Sequence, residues 1–132
     1  GTGTGTTFEL YLQKDLSIDA EGAPKFSYQI NDPQIKSYEN SVIALDDLRL
    51  GDGIRLDGVV SSLPVFLEAI DNGYPIKVIG DPIFYEPLAV TIDLGDHELE
   101  DKLKEIISWM RKDGTLSAIS KKWYGVDYAT TQ

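Results

Sequence analysis

Short apolar segments alternate with helix-forming segments along the chain, and this alternation constrains the fold more than any other feature of the sequence. Each apolar segment contains Ile, Val or Tyr, which favour strands, and turn-forming residues separate the segments. The predicted strands cover residues 35–38, 54–60, 76–79 and 87–93. Strands that alternate with helices favour an α/β fold with a mostly parallel sheet flanked by helices.

Five segments have the apolar spacing and the terminal residues that are typical of helices. The first begins after Thr6, which forms a predicted capping box with Glu9 three positions later. The others are predicted to begin at Asn40 or Ser41, at Pro64 in the first turn, after Asp96 as N-cap, and after Thr115 as N-cap. The helix after Asp96 has an apolar stripe made of Leu99, Leu103, Ile106, Ile107 and Met110. Residues 17–34 contain Gly22 and Pro24 and are interpreted as a loop with an extended piece at 26–30.

The charge balance argues against two classes of partner. The 132 residues, 42% apolar and 26% charged, have the composition of one globular domain. The net charge of -10 argues against nucleic acid and against an anionic membrane surface, since both attract clustered Lys and Arg. We expect the acidity mainly to promote solubility.

The sequence contains neither cysteine nor a segment that resembles a transmembrane helix or a signal peptide. The chain contains no cysteine, which excludes disulfides, zinc–thiolate sites and a thiol nucleophile. No apolar run reaches about 18 residues, the length typical of a transmembrane helix. The sequence also lacks a signal peptide, so if the protein is exported we expect the signal to lie outside this sequence.

A glycine-rich segment precedes the first predicted helix. Gly5, Thr6 and Thr7 stand where free backbone N–H groups and the positive end of the helix dipole form an anion site, which suits a carboxylate or a phosphate. The segment is not a P-loop, because no Gly-Lys-Ser/Thr follows, and it lacks the dinucleotide-binding spacing. The alternative is that the segment is a flexible start of the chain, or a cloning remnant at residues 1–3.

Two hydroxyl groups follow the predicted strand at 54–60. Ser61 and Ser62 come at the carboxyl end of that strand, which is the edge where parallel sheets bind ligands. The alternative is an ordinary turn into the next helix, with Ser62 as its N-cap.

The remaining polar residues predict neither a metal site nor catalysis. His97 is the single histidine and lies among acidic residues in the first turn of a helix, where a solvated side chain is expected. The paired acids Asp46 and Asp47 have the spacing of an exposed helix face. We therefore predict no metal, no cofactor and no catalytic residues.

The motifs of the last forty or so residues, taken in order, resemble the ending of the polar-amino-acid-binding proteins of ABC importers, a family of extracytoplasmic solute-binding proteins. That family ends in a helix, a D-G-T turn and a helix closing on K-K-W-F/Y-G. The matching stretches are E-P-L-A-V at 86–90, G-D-H-E-L at 95–99, K-D-G-T at 112–115 and K-K-W-Y-G at 121–125. Upstream, residues 4–7 resemble the T-G-T-T ligand loop of the family, and residues 57–64 resemble its D-A-V-V-x-D-x-P segment.

The resemblance implies a role for each matching position. Gly5, Thr6 and Thr7 would bind the α-carboxylate of an amino acid through backbone N–H groups and a hydroxyl. The family's Asp, which pairs with the α-ammonium, is replaced by Ser62, which carries no charge. Either another acid pairs with the α-ammonium, for which Glu86 near the expected hinge is the candidate, or the ligand is not a standard α-amino acid.

The resemblance also implies a domain organisation. The family has two α/β lobes of a periplasmic-binding fold that close on the ligand. Residues 1–86 would be the second lobe without its first strand, and residues 87–132 would be a hinge strand and C-terminal helices that belong to the first lobe. The chain is thus expected to be a C-terminal half whose partner is the missing N-terminal lobe. Alone, it would expose the apolar stripe of the helix after Asp96 and an unpaired sheet edge.

The function that follows is the capture of a small polar solute, an amino acid, for an ABC permease in the membrane, without catalysis. The implied location is periplasmic or extracellular, with membrane association through the transporter or through a lipid anchor outside this chain. One alternative is a sensory domain of a receptor or kinase with the same fold. Another is an enzyme, such as a dehydratase on this scaffold or a phosphate-handling enzyme. An enzyme would need a perturbed acid facing the glycine loop, for which Glu86 and Asp57 are the candidates.

Overall fold

A computed structural model describes residues 1–19 and 25–130 as a set of helices with one small parallel sheet. The strands are β1 (Thr2–Gly3) and β2 (Ser37–Tyr38), and the helices are α1 (Thr7–Gln13), α2 (Ser41–Leu48), α3 (Leu63–Asp71), α4 (His97–Lys112) and α5 (Thr115–Tyr124). Gly22 and Pro24 of the predicted loop lie outside the described residues. Within the described ranges, no helix is both long enough and apolar enough to cross a membrane.

The sheet begins at the very residues that the sequence left as a flexible start. β1 runs parallel to β2, with Thr2 opposite Ser37 and Gly3 opposite Tyr38. The N–H groups of Thr2 and Thr4 donate to the carbonyl oxygens of residues 36 and 38 at 3.1 and 2.7 Å. Thr2 is fully buried, so the interpretation of residues 1–3 as flexible is wrong. Of the strand expected at 35–38, residues 37 and 38 form β2.

The other three predicted strands do not form strands in the structure. Residues 54–60 come nearest: the amino group of Gly1 donates to the Gly58 carbonyl at 2.8 Å, and the Val60 N–H donates to the Gly1 carbonyl at 3.0 Å. Residues 76–79 and 87–93 belong to no strand pair in the part of the chain that the structure describes. A strand needs a second backbone that exchanges hydrogen bonds with it, and an apolar sequence cannot supply that partner by itself.

The predicted helix starts are mostly confirmed by capping bonds. The side chains of Thr6, Asn40 and Asp96 each accept backbone N–H groups at the starts of α1, α2 and α4. The prediction that Thr115 caps α5 is wrong, because the N-cap is Gly114 in the left-handed conformation. The Thr115 N–H instead donates to the Asp113 carboxylate at 2.9 Å.

The chain divides after Glu86 into two compact units. The core of the first unit has two clusters. One is built on α1 and collects aromatic side chains from Phe26, Tyr28 and Phe84 around Tyr11. The other packs α2 against β2 and residue 56. The predicted extended piece at 26–30 belongs to the first cluster, although it joins no sheet.

The second unit contains α4 and α5, which pack on each other. Ser120 fastens the segment after α5, since its hydroxyl donates to the Val126 carbonyl at 2.7 Å and accepts the Tyr128 N–H at 2.8 Å. The stripe of α4 remains partly exposed at Leu99 and Ile106. The assignment of residues 1–86 and 87–132 to different lobes stays a prediction.

Candidate functional site

The glycine loop, residues 4–7, joins β1 to α1 and has a defined conformation. Gly5 has a φ of +71°, in the left-handed region that other residues rarely adopt. The Thr6 hydroxyl donates to the Gly3 carbonyl at 2.7 Å and accepts the Glu9 N–H at 3.3 Å. The Thr6 side chain is therefore used to build the loop and to cap α1.

The carboxylate of Glu9 is bonded to one of the predicted anion-binding groups, the Gly5 N–H. The Gly5 N–H donates to Glu9 Oε2 at 2.7 Å, and the Ser37 hydroxyl donates to Glu9 Oε1. These two bonds, the one from Ser37 first, lower the pKa of Glu9. The capping box directs Glu9 back to the start of α1, but it predicts a bond from the Thr6 N–H rather than from Gly5.

Thr7 and Glu86 come together although they are 79 positions apart in the sequence. The Thr7 hydroxyl donates to Glu86 Oε1 at 2.5 Å. Among the described residues, the backbone N–H groups of Thr6 and Thr7 make no hydrogen bond. The first N–H groups of a helix have no partner within the helix and form the positive end of its dipole. These two groups can thus receive an anion.

The two serines after Val60 have different surroundings. The Ser61 hydroxyl donates to the Ser41 hydroxyl at 2.6 Å. Ser62 is the N-cap residue of α3, as the alternative interpretation stated, but its side chain makes no capping bond. Within the described ranges the Ser62 hydroxyl has no hydrogen-bond partner.

Close packing brings Ser41 and, through its bond to Ser41, Ser61 to the side of the glycine loop. A Cβ placed on Gly3 would lie 3.2 Å from Thr6 Cγ2 and 3.8 Å from Ser41 Oγ, so glycine lets the loop and the start of α2 approach each other. Ser41 in turn holds Ser61. The loop and the start of α2 follow β1 and β2, and Ser61 follows the segment bonded to Gly1. The carboxyl end of a parallel sheet is where such polar groups collect to bind ligands.

The other titratable residues considered in the sequence, Asp47, Asp57 and His97, make bonds or ion pairs away from the glycine loop. Asp47 accepts from Tyr38 Oη at 2.8 Å, Arg55 at 2.9 Å and Lys36 at 3.3 Å, and these bonds, the one from Tyr38 first, lower its pKa. Asp57 accepts the Gly53 N–H at 3.4 Å in a turn. His97 is exposed and faces Glu100 on the same helix. In the described part of the chain, no three His, Cys, Asp or Glu side chains are arranged to hold a metal.

The sequence missed two residues of this site. Glu9 was expected only as a capping residue, and Ser41 only as a possible helix start. The available signal for both was their place at the start of a helix that follows a strand, since such starts meet at one edge of a parallel sheet.

Curated proteins similar to this chain are named for binding amino acids. A Bacillus subtilis (strain 168) protein named as a probable amino-acid-binding protein, YxeM, is 36% identical over 101 residues, which cover 74% of this chain and 37% of that protein. The L-cystine-binding protein TcyJ of Escherichia coli (strain K12) is 26% identical over 129 residues, covering 96% of this chain and 42% of its own length.

A third relative, also from Escherichia coli (strain K12), is provisionally named as an ABC transporter arginine-binding protein. It is 30% identical over 93 residues, which cover 67% of this chain and 36% of the relative. No family model matches the chain, and no solved structure matches it significantly.

These similarities confirm the resemblance that the sequence motifs predicted. The relatives are named as binding proteins for amino acids, and one of them is named as part of an ABC transporter. The chain spans less than half the length of each of these relatives.

Proposed function

We propose that this chain forms part of the binding cleft of a solute-binding protein that captures an amino acid for an ABC importer and catalyses no reaction. The observation that carries this proposal is the similarity to proteins named for binding amino acids, L-cystine and arginine, one of which aligns with 96% of the chain. The polar groups at one edge of the sheet agree with it, because they include donors for an anion beside hydroxyl groups and a carboxylate.

In this proposal the carboxylate of the solute binds at the glycine loop. The N–H groups of Thr6 and Thr7 donate to it, and the dipole of α1 favours its charge. The Thr7 hydroxyl is a further donor once it turns from Glu86. The Gly5 N–H joins them only if Glu9 moves away, because Glu9 holds that group at 2.7 Å.

The other end of the solute meets the hydroxyl-bearing edge. Ser62 has a hydroxyl without a partner among the described residues, and Ser61 lies next to it with a hydroxyl that is bonded to Ser41. Hydroxyls both donate and accept, so they suit a polar solute of either charge. Glu86 contributes a carboxylate to the proposed site.

The proposal extends to the whole protein. Residues 1–86 are assigned to one lobe of a two-lobed cleft, and residues 87–132 to a hinge strand and helices of the other lobe, whose N-terminal part would lie outside this sequence. The partner is the membrane permease of the importer. The location is extracytoplasmic, either periplasmic or extracellular, with membrane association through the transporter or a lipid anchor outside this chain.

A thermal-melt screen tests the proposal on the complete polypeptide that carries this sequence. A solute that binds only the folded state adds about 2.7 kcal/mol of stability at a hundred times its dissociation constant, which raises the melting temperature measurably. The screen should begin with L-cystine and L-arginine, the solutes in the relatives' names, and continue through the other amino acids.

The control compounds separate two ways in which the proposal can fail. A shift with a solute that is not a zwitterion, and none with any amino acid, would remove the amino acid and keep the transport role. No shift with any solute of either kind would count against solute capture altogether.

A further inference from the structure

Asn72 is the single asparagine of the chain that is followed by a glycine. The other two, Asn31 and Asn40, precede an aspartate and a serine. A backbone nitrogen can attack the side-chain amide carbon of the asparagine before it, and a side chain on the attacking residue hinders this approach. Because glycine has no Cβ, the nitrogen of Gly73 is unhindered. The sequence therefore places the reactive pair of residues at one position.

The surroundings of Asn72 leave its side chain open to reaction. Asn72 and Gly73 are both exposed, at the end of α3. Among the described residues, the Asn72 side chain makes no hydrogen bond, whereas the Asn40 side-chain oxygen accepts two backbone N–H groups at 3.0 and 3.1 Å. Apart from its chain neighbours, no atom would lie within 4 Å of a Cβ placed on Gly73. Packing therefore does not shield this pair of residues.

The folded backbone holds the Gly73 nitrogen away from the side chain that it would attack. Asn72 has a ψ of 10°, which places that nitrogen beside the Asn72 nitrogen and away from Cβ. The Gly73 N–H also donates to the Ile70 carbonyl at 2.9 Å. The Tyr74 N–H donates to the Ala69 carbonyl, likewise at 2.9 Å. These bonds, with a φ of +82° at Gly73, form a Schellman turn, and the reaction requires that turn to open.

The last turn of α3 is suited to local opening. Helix ends fray at a free-energy cost well below that of global unfolding. Ala69 is the buried residue of α3, and residues 75–81, which follow the turn, belong to no helix or strand. Opening lets the Asn72 backbone rotate and releases the Gly73 N–H, which are the two changes that the reaction needs.

We propose that Asn72 is a site of spontaneous deamidation that reacts when the last turn of α3 opens. The Gly73 nitrogen loses its proton and bonds to Asn72 Cγ, and the side-chain nitrogen takes up a proton and leaves as ammonia. Water then opens the resulting cyclic imide at one of its two carbonyl carbons, which gives aspartate or isoaspartate. The sequence of steps consumes water and needs neither an oxidant nor a reductant. It is independent of the proposed function, since no solute takes part.

Both products put a new negative charge at the end of α3. The carbonyl groups there already form the negative end of the helix dipole, and Asp71 precedes the site, so the added charge is unfavourable. Isoaspartate also inserts a methylene group into the main chain ahead of Tyr74, whose hydroxyl donates to Asp46 of α2 at 2.9 Å. Deamidation therefore weakens the end of α3 and its link to α2.

Tryptic peptides resolve the reaction after the complete polypeptide has been kept folded in mildly alkaline buffer. Cleavage after Lys and Arg leaves each asparagine in a separate peptide: Asn31 in 26–36, Asn40 in 37–49 and Asn72 in 56–77. Mass spectrometry measures the replacement of the amide NH₂ by OH, and an isoaspartate-specific methyltransferase labels the isoaspartate product. The Asn72 peptide should be deamidated several-fold faster than the other two. A sample digested without incubation corrects for reaction during digestion.

A parallel incubation in urea tests the role of the turn. Unfolding removes the hydrogen bonds of the Gly73 and Tyr74 N–H groups, so Asn72 should be deamidated several-fold faster in urea than in the folded protein. Equal rates in the two conditions would show that the turn does not control the reaction. If Asn72 reacted no faster than Asn31 and Asn40 in the folded protein, the site itself would be ruled out.

The variant Asn72→Asp carries one product of the reaction and tests its effect on the fold. Its melting temperature should be lower than that of the wild type by a few degrees, because the charge opposes the helix dipole. Asn31→Asp is the matched control, since Asn31 is exposed and lies outside the helices, and it should melt like the wild type. An Asn72→Asp variant as stable as Asn31→Asp would contradict the predicted weakening of α3.

Discussion

At the scale of single residues, Glu9 links three parts of the first unit through one carboxylate. It accepts from the glycine loop at Gly5 and from β2 at Ser37, while its backbone N–H is capped by Thr6. Hydrogen bonds to the ionised form favour that form, which is why the pKa of Glu9 is lowered. The same bonds keep Gly5 from serving as an anion donor in this structure.

The lowered pKa of Glu9 makes part of the folding stability depend on pH. A carboxyl group whose pKa is lower in the folded than in the unfolded state stabilises the protein above its unfolded pKa, and this contribution disappears as the pH falls through the folded pKa. Urea unfolding from about pH 6 to about pH 3 should therefore show a stability advantage of wild type over Glu9→Gln that shrinks toward acid pH. An advantage that stays constant with pH would contradict the bonding of ionised Glu9. Ser37→Ala is the companion variant, and it should reduce the same pH-dependent difference.

At the scale of elements, helix starts and aromatic packing organise the first unit. The Tyr11 hydroxyl donates to the Ser27 carbonyl at 3.0 Å and accepts the Gln29 N–H at 2.8 Å. Its ring also stacks on Phe84 at a centroid distance of 5.3 Å. Helix α1 thus fixes both the extended piece at 26–30 and the segment that leads to Glu86. The position of Glu86 beside the loop depends on this aromatic cluster as well as on Thr7.

Two N-cap residues of the same unit should respond differently to alanine. The Asn40 side chain accepts the N–H groups of Val42 and Ile43 at 3.0 and 3.1 Å, whereas Ser62 makes no capping bond. Asn40→Ala should lower the free energy of unfolding by about 1 kcal/mol, and Ser62→Ala should lower it by much less. Denaturant unfolding of the two variants measures the difference. Equal losses would mean that the Ser62 hydroxyl does cap α3 in solution.

At the scale of the whole molecule, apolar side chains range from fully buried to fully exposed. Tyr11 and Leu45 are 1% and 2% exposed, while Leu88 and Leu94, in the second unit, are 94% and 100% exposed. Single exposed apolar residues are ordinary on protein surfaces.

Leucine-to-alanine variants should distinguish a buried leucine from an exposed one by their effect on stability. Leu45→Ala removes packed groups from the core and should destabilise the chain by about 2–5 kcal/mol. Leu94→Ala, the control of identical chemistry, should change stability by no more than about 0.5 kcal/mol, because an exposed side chain has few contacts to lose. The measurement is urea unfolding of these 132 residues. A large loss in Leu94→Ala would show that this side chain is covered in solution.

The sequence predicted the starts of three helices and the resemblance to amino-acid-binding proteins. The starts of α1, α2 and α4 follow from Thr6, Asn40 and Asp96, because a capping side chain acts on residues two or three positions away. The motifs at both ends predicted the resemblance to amino-acid-binding proteins, which the relatives confirm. The roles of Gly5 to Thr7, Ser61, Ser62 and Glu86 in binding a ligand stay predictions.

Only the tertiary structure decided which apolar segments pair and which side chains meet. β1 forms at residues that look like a flexible start, because β2 supplies it with hydrogen-bond partners, and residues 76–79 lack such a partner in the described chain. The contacts of Gly5 with Glu9 and of Thr7 with Glu86 likewise depend on distances in space. Helix propensity and capping act within a few residues, so a sequence reveals them directly. Strand pairing and contacts between residues as far apart as 79 positions depend on where other segments lie, which local patterns do not encode.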